Sequence, residues 1–76
     1  MEQALVLTTL NATFEYEALE ELFKLDEVRE AHFLYGPYDA YAMIEAKSTQ
    51  QLQKIVINKI RKINGIISTI TCFIAD

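Results

Sequence analysis

A short segment near the middle of the chain, Tyr35–Asp39 (YGPYD), determines where the chain reverses direction. It holds the only proline and one of the two glycines in the sequence. Glycine reaches positive φ without steric cost and proline fixes its own φ at about −65°, so Gly36-Pro37 favours a turn. The flanking segments, Val28–Leu34 and Asp39–Ala46, alternate between apolar and other side chains. This pattern predicts a β-hairpin whose tip is the YGPYD segment.

The rest of the chain supplies two more strands and two helices. Gln3–Leu10 and Ile66–Ala75 are short and rich in leucine, isoleucine and threonine, which is typical of strands. After Thr13, apolar residues recur with the period of a helix, and we interpret Thr13 as its N-cap. The same period recurs after Ser48, which forms a Ser-x-x-Gln capping box with Gln51. The predicted apolar stripes are Phe14, Ala18, Leu19, Leu22 and Phe23 in the first helix, and Leu52, Ile55, Val56, Ile60 and Ile63 in the second.

The resulting order, β-α-β-β-α-β, predicts an α+β fold of the ferredoxin-like type, with a four-stranded antiparallel sheet and both helices on one face. The opposite face is not polar. In the first strand Leu5 and Leu7 oppose Ala4 and Val6. In the last strand we place four residues on one face: Ile66, Ile70, Cys72 and Ile74. Strands that are apolar on both sides are buried on both sides, so we expect a second copy to cover this face and form a sheet-to-sheet dimer, as in a dimeric α+β barrel.

Composition narrows the class of protein. A chain of 76 residues is one small domain with a marginal core of its own. No apolar segment reaches the ~20 residues of a membrane span, and Met1 leads directly into a strand with no room for a signal peptide. We therefore expect a soluble, cytoplasmic protein. The net charge of −4 argues against nucleic-acid binding, which needs lysine and arginine. We expect Cys72 to be buried, and no metal or cofactor, because no ligand cluster or phosphate loop is present.

Two segments carry a resemblance to a known family. Tyr35–Asp39 and the strand after it resemble the Gly-x-Tyr-Asp loop of the effector-binding domain, or RAM domain, of Lrp/AsnC-type transcriptional regulators. Ile60–Thr71 (IRKINGIISTIT) resembles the helix end, glycine and Thr-x-Thr strand of that domain, with Asn64 where the family commonly has proline. The family's helix-turn-helix module has no counterpart in this sequence. The resemblance implies that residues 1–76 form a single effector-binding domain with no DNA-binding domain.

The resemblance also implies a function and a site. It implies an amino-acid-binding and oligomerisation module, not an enzyme, that modulates Lrp/AsnC-type regulators. The implied partners are a free amino acid as effector, a homodimer that assembles further into a ring, and a full-length regulator, without direct contact with nucleic acid or a membrane. The loop amides from Gly36 to Asp39 would face the ligand carboxylate, and the Asp39 side chain would meet its ammonium group. The implied ligand-binding residues are Gly36, Pro37, Tyr38, Asp39, Ser68, Thr69 and Thr71.

The residues taken alone leave alternatives open. Aspartate is common beside turns and threonine is common in strands, so Asp39, Thr69 and Thr71 also fit purely structural roles. The only histidine, His32, has Glu30 two positions away on the same face. This pair permits a different class of protein, a dimeric α+β barrel enzyme with His32 as acid/base in a cavity between the sheets. RNA-recognition motifs share the order of elements, but the first strand here has no aromatic residue to stack on a base.

Overall fold

The computed structural model describes residues 1–76 and has the predicted order of elements. The strands are β1 (Glu2–Leu10), β2 (Val28–Phe33), β3 (Ala40–Ala46) and β4 (Ile66–Phe73); the helices are α1 (Glu15–Lys24) and α2 (Thr49–Asn58). The two 3₁₀ turns are Ala12–Phe14, before α1, and Ile60–Lys62, after α2. The sheet order is β2-β3-β1-β4 and all neighbouring strands are antiparallel. The α+β, ferredoxin-like fold is therefore confirmed.

The first helix begins differently from the prediction. Asn11, rather than Thr13, provides the cap, since its Oδ1 accepts a hydrogen bond from the Thr13 N–H at 2.9 Å. An asparagine side chain readily accepts from the backbone two residues further on, and here this contact starts the 3₁₀ turn that leads into α1. Phe23, which we predicted on the apolar stripe, is 55% exposed. Neither α1 nor α2 is long and apolar enough to cross a membrane.

The second helix begins as predicted. The Ser48 Oγ accepts a hydrogen bond from the Gln51 N–H at 3.2 Å. In return, the Gln51 Oε1 accepts from the Lys47 N–H at 3.0 Å, one residue before the position of an ideal capping box. The helix ends at Asn58, so Ile60 and Ile63, which we predicted on its apolar stripe, lie in and just after the 3₁₀ turn Ile60–Lys62.

The hydrophobic core lies between the sheet and the two helices. Small side chains on the two central strands allow the helices to approach the sheet closely. The fully buried residues of the main core are Ala4, Val6, Leu22, Ala42, Ile44, Leu52 and Ile60. Thr8 is the only buried polar residue, and its hydroxyl group has no hydrogen-bond partner.

One face of the sheet is not covered by the helices. On this face two rows of side chains run across the four strands, and each row consists of residues at paired positions. The first row is His32, Tyr41, Leu7 and Ile70; the second is Glu30, Met43, Leu5 and Cys72. Each row starts with a polar residue on the edge strand β2 and continues with mainly apolar residues. We call these eight residues the open face. Cys72 is exposed there, so the prediction that it is buried was wrong for the single chain.

A β-bulge at the start of β4 moves one predicted residue to the other face. Thr9 pairs with Ser68, whereas Leu10 pairs with Ile66, which leaves Ile67 as an extra residue. Ile66 consequently packs against the core, and Ile67 is 67% exposed. The prediction that Ile66 shares a face with Ile70 was therefore wrong, because strict alternation along the sequence fails at a bulge.

Two ion pairs lie near the β2 edge of the molecule. The Lys59 Nζ is 2.7 Å from the Glu27 Oε2, and the Arg29 Nε is 2.6 Å from the Glu45 Oε1. The hydrogen bond from Lys59 holds the pKa of Glu27 below its ordinary value of 4.5, although partial burial opposes this. The hydrogen bond from Arg29, with a second one from Gln3, likewise lowers the pKa of Glu45.

Alanine substitutions at the two glycines distinguish the cost of backbone strain from the cost of steric crowding by neighbouring atoms. Both have positive φ, +101° at Gly65 and +133° at Gly36. A Cβ at Gly65 would also lie 3.0 Å from the Phe14 Cβ and 3.2 Å from the Ala18 Cβ, whereas a Cβ at Gly36 would meet nothing. We expect Gly65→Ala to lower the free energy of unfolding by about 3 kcal/mol and Gly36→Ala by about 1 kcal/mol, as measured by urea denaturation. Equal losses for both variants would contradict the close packing at Gly65.

Candidate ligand-binding site

The hairpin between β2 and β3 is anchored to the neighbouring strand. The Leu34 N–H donates to the Asp39 carbonyl oxygen at 2.8 Å, which closes the loop. The Asp39 N–H donates to the Thr8 carbonyl oxygen at 2.8 Å, which ties the loop to β1. Gly36 needs its positive φ but has open space around it, so the shape of the loop, not crowding, requires glycine there.

Backbone donors remain unpaired at the tip of this loop. The N–H groups of Tyr35, Gly36 and Tyr38 have no hydrogen-bond partner within the chain. Pro37 has no N–H group, and that of Asp39 is already bonded to Thr8. The resemblance assigned the amides from Gly36 to Asp39 to a ligand carboxylate. Within this chain, only the amides of Gly36 and Tyr38 remain free to donate.

The Asp39 side chain has a structural contact as well as a charge. Its Oδ2 accepts a hydrogen bond from the Leu10 N–H at 2.7 Å, at the point where β1 ends. The carboxylate is half-buried and forms no ion pair with any lysine or arginine of the chain. Asp39 thus accepts a hydrogen bond at the end of β1 with one carboxylate oxygen, and its negative charge has no basic partner within the chain.

A groove of about 250 Å³ lies between the hairpin loop and the start of α1. We call it the hairpin groove; its lining residues are Glu15, Tyr16, Phe33, Leu34, Tyr35 and Asp39. The rings of Tyr16 and Phe33 meet edge to face, with centroids 5.4 Å apart and planes at 82°. Glu15, Tyr16 and Phe33 were not among the site residues predicted from the sequence. The available signal was Tyr16, an aromatic residue outside the apolar stripe of α1.

The predicted hydroxyl residues lie elsewhere in the single chain. Thr69 and Thr71 line a groove of about 440 Å³ between β4 and α2, together with Arg61 and Phe73. Ser68 lies on the opposite face of the sheet, where its hydroxyl group is hydrogen-bonded to that of Thr9.

Asp39 and Thr69 lie at the same end of the sheet but do not meet. Thr8 pairs with Ala40 on one side and with Thr69 on the other, so the strand β1 separates the hairpin from β4. Two inter-strand spacings correspond to about 10 Å. In a single chain, the predicted ligand-binding residues of the hairpin loop and the predicted hydroxyl residues of β4 therefore lie on separate surfaces.

His32 lies exposed on the open face, and none of the four grooves of the chain includes it. Its ring centroid is 5.6 Å from that of Tyr41. The Tyr41 hydroxyl donates a hydrogen bond to the Glu30 Oε1 at 3.2 Å, so Glu30 contacts tyrosine rather than histidine. Loss of water around the Tyr41 hydroxyl raises its pKa, and the Glu30 carboxylate raises it further. The orienting carboxylate that a catalytic His32 would need is therefore bonded to another residue. No three potential metal ligands cluster anywhere in the chain.

The family of the chain follows from sequence comparison. A sequence model of the Lrp/AsnC ligand binding domain matches residues 3–76. The chain belongs to this family, and the resemblance drawn from the loop and from the Thr-x-Thr strand is confirmed.

Curated relatives are transcriptional regulators. The regulatory protein AsnC of Escherichia coli strain K12 is 40% identical over 57 residues, which cover 75% of this chain and 38% of AsnC. An uncharacterized HTH-type transcriptional regulator of Pyrococcus furiosus is 34% identical over 55 residues, which cover 72% of this chain and 37% of that protein. The chain thus spans well under half the length of the curated relatives it matches.

Solved structures show the same fold. FFRP-DM1 superimposes with a TM-score of 0.92 at 33% identity, covering 99% of this chain and 100% of that one. Escherichia coli AsnC superimposes with a TM-score of 0.91 at 33% identity, covering 99% of this chain and 51% of AsnC. The Neisseria meningitidis regulator NMB0573, solved as a complex with L-Met, shares the fold at 14% identity with a TM-score of 0.90, covering 99% of this chain and 50% of its own.

Two substitutions can distinguish the hydrogen bond that the Asp39 side chain accepts from the effect of its negative charge. Asp39→Ala removes the acceptor for the Leu10 N–H, and we expect it to lower the free energy of unfolding by about 1.5–3 kcal/mol. Asp39→Asn retains an acceptor oxygen, so we expect a loss below about 1 kcal/mol. Urea denaturation of both variants measures the difference. Equal stability of Asp39→Ala and the unmodified chain would show that this hydrogen bond does not stabilise the fold.

Proposed function

We propose that this chain binds a free amino acid and forms an oligomer, and that it modulates transcriptional regulators of the Lrp/AsnC family in this way. The observation that carries the proposal is the hairpin loop, where the N–H groups of Gly36 and Tyr38 are unpaired within the chain and the Asp39 carboxylate has no basic partner. An amino acid needs hydrogen-bond donors for its carboxylate and an acceptor for its ammonium group, and charge-assisted bonds of both kinds are strong. The complex of NMB0573 with L-Met supports the same ligand class.

A neighbouring copy would complete this site. Within one chain, Thr69 and Thr71 line a different groove from Asp39, two strands away. If these hydroxyl groups also contact the ligand, they must come from another subunit. Ligand binding and assembly would then depend on each other, because the pocket exists only where two copies meet.

The open face supplies the main surface for assembly. Its central side chains are apolar, and Ile70 is 45% exposed in the single chain. Burying roughly 500 Å² of apolar area on each chain would contribute on the order of 10 kcal/mol per chain before the costs of association. We therefore propose a sheet-to-sheet homodimer that associates further into a ring.

The regulatory role follows from the relatives. AsnC is a regulatory protein, and the chain matches only part of its length. We propose that the chain acts in the cytoplasm as one effector-binding domain over residues 1–76. It would act on a full-length regulator by joining its assembly or by competing for its effector, without contacting nucleic acid or a membrane itself.

A charge on the open face should disrupt the dimer. Ile70→Lys places a lysine in the middle of the proposed interface, whereas Ile57→Lys makes the same change at a 56% exposed position on α2, on the other side of the sheet. Light scattering at several concentrations should show a dimer or larger species for the unmodified chain. We expect Ile70→Lys to be monomeric and Ile57→Lys to retain at least the dimer. A monomeric unmodified chain would contradict the sheet-to-sheet arrangement.

The sensing role requires a measurable affinity for an amino acid. We expect a thermal-shift and calorimetric screen of the proteinogenic amino acids to identify at least one ligand. Asp39→Asn should weaken its binding at least tenfold, because loss of a charged partner of an ammonium group costs about 1.5–3 kcal/mol. The small effect of this variant on folding makes it a better probe than Asp39→Ala. If no amino acid binds the unmodified chain, the sensing role is excluded.

A further inference from the structure

The hairpin groove combines aromatic rings with carboxylates in a way that core packing does not explain. Its three aromatic residues are exposed: Tyr35 completely, Tyr16 at 72% and Phe33 at 41%. Rings placed for packing would be buried. Two acidic side chains, Glu15 and Asp39, complete the lining.

The two carboxylates lack a basic partner within the chain. Glu27 and Glu45 form ion pairs with Lys59 and Arg29, but Glu15 forms neither an ion pair nor a side-chain hydrogen bond. Asp39 has a single partner, the Leu10 N–H, and no cation. Negative charge thus accumulates on the walls of the groove.

The open faces of the aromatic rings provide a second attraction for a cation. Tyr16 and Phe33 stand nearly perpendicular, so they form two walls of a corner rather than a flat platform. The face of an aromatic ring attracts cations through its quadrupole, and tyrosine and phenylalanine rings with nearby carboxylates are a common way to hold an ammonium or guanidinium group. A volume of about 250 Å³ admits a group the size of one side chain.

We propose that the hairpin groove binds an organic cation, the ammonium or guanidinium group at the end of a basic amino acid. The inference rests on the proposed function for the amino-acid part of the ligand, because Tyr35 and Asp39 belong to both. It adds the chemical class of the effector: the loop amides take the carboxylate end, and the corner of Tyr16, Phe33 and Glu15 takes the cationic side chain.

A matched pair of ligands tests the cation. L-Arginine and L-citrulline have nearly the same shape, but the side chain of citrulline is uncharged. In NMR titrations of the full chain, we expect L-arginine to shift the ring signals of Tyr16 and Tyr35 and to bind at least several-fold more tightly than L-citrulline. Added salt should weaken the binding of arginine more than that of citrulline, because the groove is open to solvent and its charges are screened.

Matched variants locate the cation in the groove. We expect Glu15→Gln and Tyr16→Leu each to weaken L-arginine binding roughly two- to fivefold, in line with exposed cation–aromatic and charge contacts. Glu17→Gln changes a carboxylate in the same turn of α1 that does not line the groove, and it should bind normally. Far-ultraviolet circular dichroism checks that all three variants are folded. Equal affinity of Glu15→Gln and Glu17→Gln would overturn the assignment.

The outcomes separate this inference from the proposed function. Equal binding of arginine and citrulline would overturn the cation preference and leave the amino-acid site intact. Tetramethylammonium tests the groove without an amino-acid end: if it shifts the Tyr16 signals while no amino acid binds, the groove stands and the sensing role fails. A Tyr16 shift that depends on protein concentration alone and disappears in Arg61→Gln would show that a second copy supplies the cation, which would overturn the free-ligand proposal.

Discussion

The central strand β1 positions both the hairpin loop and β4, which carry the predicted ligand-binding residues. Its last residues pair with β3 on one side and β4 on the other, with Thr8 opposite both Ala40 and Thr69. The same strand end receives the hairpin loop through the Asp39 N–H and the Asp39 carboxylate. The position of the free amides therefore depends on hydrogen bonds to β1 rather than on the loop alone.

The fold divides its apolar residues between two surfaces of different character. The helix side of the sheet carries small residues such as Ala4 and Ala42, which are completely buried in the single chain. The open side carries larger ones, including Leu7, Met43 and Ile70, which remain partly exposed. A chain of this length buries only ~60% of its surface on folding, so the second surface is a substantial reserve of stability. In the proposed dimer, burial of this second surface would link folding to association.

The strands and helices could be predicted from the sequence because each is determined by residues close together in the chain. The capping box at Ser48, the Gly36-Pro37 turn and the alternation of β1 all act within a few residues. The bulge at Ile67 could not be predicted, since it depends on how β4 pairs with a strand about sixty positions away in the chain. The hairpin groove was missed for the same reason: Glu15 and Phe33 come together only through the packing of α1 on the sheet. The alternation of β4 correctly placed Thr69 and Thr71 on the face opposite Ile70 and Cys72, but their separation from the hairpin loop depends on the order of strands in the sheet, and their role in binding stays a prediction.

The tight packing around Gly65 has a mechanical consequence. Its carbonyl oxygen accepts a hydrogen bond from the Asn11 N–H at 2.8 Å, and its backbone lies against Phe14 and Ala18. No side chain separates the two segments, so the beginning of α1 and the beginning of β4 are in direct contact. We expect a displacement of the first turn of α1 to be transmitted through this contact to the bulged start of β4. The absence of a side chain at Gly65 would in this way couple the hairpin groove mechanically to an edge strand of the sheet.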